Sequence, residues 1–161
     1  MLDQSSIPGL PVLVESLGDV LPENHSEGDP AYLSKSALEV CTVQGWSGHS
    51  ELLAQGIACA QKYWRGEASD DARKRMQMTL YDQLQLKQAQ HGKESPEAAK
   101  YALVVWSLDA IASSSAFAAD YFLDAAIRAG VSVETLRVAL ERNVPGLTAA
   151  LAKRGVGAGP N

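Results

Sequence analysis

The chain has little of what metalloproteins, secreted proteins or membrane proteins need. It holds two cysteines, Cys41 and Cys59, and three histidines, His25, His49 and His91. No cysteine or second histidine stands at metal-ligand spacing from any of them, so a zinc site has no ligand set. Two isolated cysteines inside helical stretches read as small buried hydrophobes, although a single disulfide between them stays open. No uncharged apolar run reaches the roughly 18 residues that a membrane-spanning helix requires. The N-terminal stretch has no basic region and meets Glu15 and Asp19 early, unlike a secretory signal. A cytoplasmic protein without a membrane partner is the expectation.

Catalytic signatures are equally scarce. No serine stands in a Gly-x-Ser-x-Gly elbow. The glycines of residues 155–161 have no helix after them whose amides could hold a phosphate. No segment alternates polar and apolar residues as a half-buried strand does, and no fixed-period repeat occurs. Neither a cofactor nor a bound metal is indicated.

Positive charge is nearly missing from the first 60 residues. They carry eight acids against one base, Lys35, a net charge of −7, while the remainder carries +2. A surface of that sign repels phosphate backbones, which makes nucleic acid a poor partner and a basic protein a good one.

What the chain does have is helical periodicity. Its 161 residues, 46% hydrophobic and 20% charged, suit one domain with its own core. The expected fold is all-α: a single bundle of about six or seven helices over residues 1–154, with a flexible tail over 155–161. A first helix is expected at about 13–21, and a second opening at Asp29-Pro30, where aspartate caps and proline loses no hydrogen bond. Leu33, Ala37, Leu38 and Cys41 form its apolar stripe. Gly45-Trp46-Ser47-Gly48 ends it, and Ser47 or Ser50 opens a third helix, with Leu53, Ile57, Ala60 and Trp64 on one face, closed by Gly66.

Ser69-Asp70-Asp71 opens a long helix that stops at His91-Gly92, and Ser95-Pro96-Glu97 opens the next. Residues 98–129 are the most apolar stretch and belong at the centre; Ser113-Ser114-Ser115 leaves open whether they form one helix or two. Ser132 caps a helix to about Asn143, and Pro145 starts a last short one.

Three carboxylates could carry chemistry. If the central segment is continuous, Asp109, Asp120 and Asp124 share one helical face, a geometry that can hold a metal or move a proton. No Glu-x-x-His partner accompanies them, and Arg128, four residues after Asp124, favours a plain ion-pair ladder. The Arg73-Lys74-Arg75 run could bind phosphate, but pairing with Asp70 and Asp71 across one turn is the more frequent arrangement. Trp64 and Trp106 fit core stripes. Trp46 sits in a glycine-flanked turn, where it is either a packed residue or an exposed interface anchor.

Two stretches carry a family resemblance. The first is Ala37-Leu38-Glu39-Val40-Cys41 followed, after the Trp46 turn, by a helix ending Tyr63-Trp64-Arg65-Gly66-Glu67. The second is Glu97-Ala98-Ala99-Lys100-Tyr101-Ala102, opening the central helices. Their order resembles the Imm5-type immunity proteins of bacterial polymorphic-toxin systems over about residues 32–130. One departure is Val43-Gln44-Gly45-Trp46, where the family has a Val-Leu-Pro turn.

The resemblance implies a non-enzymatic protein that binds and neutralises a cognate secreted toxin. An acidic surface suits a basic nuclease-type toxin and would speed its association. The partner-binding candidates are Glu15, Asp19, Glu23, Glu27, Asp29, Glu39 and Trp46. The competing readings are a structural adaptor or homodimerising helical module, and a carboxylate-dependent metal hydrolase built on Asp109, Asp120 and Asp124.

Overall fold

The computed structural model describes residues 4–23, 31–110 and 115–156. Among these the chain is all-α, with no strand. Its helices are α1 (Leu10–Val20), α2 (Tyr32–Val43), α3 (Glu51–Trp64), α4 (Asp70–His91), α5 (Pro96–Ser107), α6 (Ala116–Arg128), α7 (Val133–Asn143) and α8 (Leu147–Lys153), with short 3-10 turns at Gln4–Ser6 and Trp46–Gly48.

Serine sets most of the helix starts. The hydroxyls of Ser50, Ser69, Ser95, Ser115 and Ser132 each accept a hydrogen bond from the amide three residues on, at 3.1–3.2 Å. Each satisfies a donor that the helix itself leaves free, worth about 1 kcal/mol. Ser115 resolves the central segment into two helices. α2 begins at Tyr32 with Ala31 in the cap position; Asp29 and Pro30 lie outside the described residues.

The packed chain extends past residue 154, where the tail is expected to begin. Gly155 adopts φ 84°, and the Val156 amide donates to the Leu151 carbonyl at 3.0 Å, so residues 155 and 156 close α8 and Val156 packs on the core. Residues 157–161 lie outside the described part.

α5 is the hub. Its sequence, PEAAKYALVVWS, buries Ala98, Ala99, Tyr101, Leu103, Val104 and Ser107. α2, α4, α6 and α3 pack around it; α7 lies outside α2, and α8 lies on α1. Gly56 lets α3 settle against this hub. A Cβ there would stand 2.6 Å from Leu80 Cδ1 and 2.8 Å from Val104 Cγ1, closer than carbon atoms pack.

Arg73 ties α4 to the end of α5. Its buried guanidinium donates to the Leu108 carbonyl at 2.8 Å, to Gln77 and to Asp70, and stands over the Tyr63 ring. A cation on the last carbonyls of α5 complements that helix's dipole. Both cysteines are free thiols, and complete burial pushes the Cys41 thiol well above its ordinary range. No described helix is long and apolar enough to cross a membrane.

Candidate protein-binding surface

The acidic candidates divide into separate places. Glu15 and Asp19 project from α1 and share one guanidinium, Arg154 beyond α8, at 3.0 and 2.8 Å. Two exposed carboxylates thus meet one base from the other end of the chain, and the charge of this region is partly cancelled. Glu23, just past α1, is exposed. Glu27 and Asp29 lie outside the described residues.

Glu39 has a different setting. It lies on α2, facing α7, and its Oε1 accepts from Arg142 Nη1 at 3.1 Å. Its Oε2 is shielded from solvent and accepts no hydrogen bond from a described residue. Such an oxygen costs stability until a donor reaches it. Glu39 lines two adjoining depressions. The first, about 240 Å³ between α2 and α7, is walled by Val40, Val43, Val138 and Ala139 and rimmed by Glu134. The second, about 620 Å³, continues past Val43, Glu39 and Arg142 toward Lys35, Thr42 and Trp64.

Val43 is 63% exposed at the junction. Glu134 on the rim of this groove is bonded by Arg137, which also bonds Glu141, and the hydrogen bond from Arg137 holds the Glu134 carboxyl below the usual range. The result is an apolar trough edged by the carboxylates of Glu39 and Glu134 and by the largely exposed guanidinium of Arg142.

Trp46 is corrected by its burial. It is 2% exposed and sits in the core between the end of α2 and the start of α3, so it anchors the helix junction and presents nothing to a partner. Gly45, at φ 69°, supplies the left-handed residue on which α2 turns into the short 3-10 segment that carries Trp46.

The three-carboxylate face is also corrected. It required one continuous helix, and α5 ends at Ser107, so Asp109 falls in the link, where its backbone carbonyl accepts from the Ser34 hydroxyl at 2.7 Å. Asp124 accepts from Arg128 at 2.8 Å, and Arg128 reaches on to Glu94 at 3.1 Å. Asp120 stays on α6, with its pKa raised by partial burial. Among the described residues no three histidine, cysteine or acidic side chains converge as metal ligands. The basic run splits: Arg73 is buried, Lys74 pairs with Asp70 at 3.2 Å, and Arg75 points outward.

Sequence reasoning singled out Glu39 for its charge and missed the groove around it. Its walls come from helices about 90 residues apart, which no local pattern connects. The available signal was a pair of branched hydrophobes, Val43 and Val138, that fall off the buried stripes of their own helices. Comparison with protein-family models, with curated proteins and with solved structures finds no match for this chain.

Proposed function

We infer that this chain is a non-enzymatic binding protein that captures and neutralises a basic protein partner, as an immunity protein does its toxin, and that the α2–α7 groove is its docking site. The observation that carries the reading is the pairing of an exposed apolar wall at Val43 with the half-satisfied carboxylate of Glu39. An apolar anchor from the partner fills the trough. A lysine or arginine beside that anchor displaces the exposed Arg142 and donates to Glu39, exchanging an internal ion pair for an external one. This gives the pattern of a buried anchor within a charged rim that interfaces share. The carboxylates of Glu15, Asp19 and Glu23 act at longer range, raising the association rate of a basic partner.

The test uses the full chain and the partner that co-purifies with it from the native cell. Val43→Asp and Glu39→Lys are expected to weaken the complex by tenfold or more, roughly the range for truncating or reversing an interface anchor. Reversal of Glu15, Asp19 and Glu23 is expected to lower the association rate and flatten its salt dependence. Unchanged dissociation in both groove variants would remove the groove from the account. An enzymatic activity of the isolated chain, lost with Asp120 or Asp124, would replace it.

A further inference from the structure

α4 packs mainly on α3 and α5, which leaves one whole side of a 22-residue helix in solvent. On that side stand Met78, 68% exposed, and Tyr81, 51% exposed. Beside them runs a groove of about 230 Å³ lined by Gln77, Met78, Tyr81, Asp82 and Val105. Arg75 and Asp82 flank Met78 on the same face, three residues before it and four after, which is the spacing of neighbours along one side of a helix. Both are exposed, and neither has an ion pair or side-chain hydrogen bond to a described residue. This sets them apart from Arg73 and Lys74, which are both bound to Asp70.

We propose that two copies of this chain associate through α4, antiparallel about a two-fold axis beside Met78. In that arrangement Arg75 of each copy meets Asp82 of the other, and Met78 and Tyr81 of one copy cover the groove along Val105 of the other. The face is self-complementary, as an isologous contact must be. A parallel pairing fails on charge, because it sets Asp82 against Asp82 and Arg75 against Arg75. The contact is one helix face with short flanks, so it belongs to the small and weak class of interfaces. It shares no lining residue with the α2–α7 groove, so the two contacts use separate surfaces of each copy.

Sedimentation equilibrium of the full chain over a concentration series reaching about 1 mM reads the association directly. The wild-type chain is expected to pass from monomer to dimer within the series. Asp82→Arg and Arg75→Asp, each placing like charges across the axis, are expected to weaken dimerisation at least about tenfold. The chain carrying both changes regains the pairing with its sense reversed and returns to within about threefold of wild type. Circular dichroism keeps a folding failure distinguishable, since both side chains are exposed. A wild-type chain that stays monomeric throughout overturns the proposal and leaves this face to another occupant. So does a dimer indifferent to both single reversals, or a double variant no better than the singles.

Discussion

α4 and α5 lie side by side, open on the same kind of serine cap, and differ in nearly everything else. α5 buries six of its twelve residues; α4 has twenty-two and buries three, Arg73, Leu80 and Leu84. The hub therefore carries the stability of the fold, and the edge helix carries surface that stability does not require. Surface of that kind is where a binding protein keeps its freedom to be specific. The α2–α7 groove stands between the two extremes, since each of its helices contributes one buried residue, Val40 or Ala139, and one exposed residue, Val43 or Val138.

The contrast can be broken by substitution. Leu103→Ala, at the fully buried centre of α5, is expected to cost about 2–5 kcal/mol in urea unfolding. A cost below that would mean the hub is loosely packed. Gly56→Val forces a branched side chain against Leu80 and Val104 and is expected to cost about 1–3 kcal/mol or more. Arg73→Met removes the cation from the end of α5 and strands the Leu108 carbonyl, an expected loss of about 1.5–3 kcal/mol. On the outer face of the same helix, Met78→Lys is expected to stay within about 0.5 kcal/mol of wild type. A large loss there would show that α4 is not the free edge described.

The smallest effect is pH-dependent. Partial burial raises the Asp120 pKa in the folded chain above its unfolded value. The native state then binds more protons than the unfolded state in the window between the two values, and stability falls as pH rises through it. Asp120→Asn is expected to remove that fall, stabilising slightly at pH 7 and leaving stability unchanged at a pH below both values. Thermal melts of both chains across the acid range measure it.

Much of the fold was legible because its signals are local. Ser69, Ser95 and Ser132 announce helix starts by a hydroxyl that bonds three residues ahead, and the 3.6-residue stripes of α2 and α3 give their buried faces. The centre was legible from the density of apolar residues between 98 and 129. The break after Ser107 was not, because a run of small residues suits a helix and a link equally. The surfaces were hardest to read. Charge counted along the chain placed the acidity in the first third, but Arg154 and Arg142 return from the last helices to pair with Glu15, Asp19 and Glu39. Ion pairs spanning 100 residues or more have no trace in sequence spacing. Trp46 shows the same limit, since a tryptophan between two glycines looks the same whether the turn folds over it or holds it out.

The central claim is that a partner docks in the α2–α7 groove with a cation on Glu39, and one comparison tests it most directly. Dissociation rates of the partner captured from the native cell would be measured for wild type, Val43→Asp and Met78→Lys on the same surface. Dissociation accelerated at least about tenfold in Val43→Asp alone, with Met78→Lys unchanged, is the predicted result. Equal dissociation from all three chains, or a loss confined to Met78→Lys, would contradict it and move the docking site off this groove.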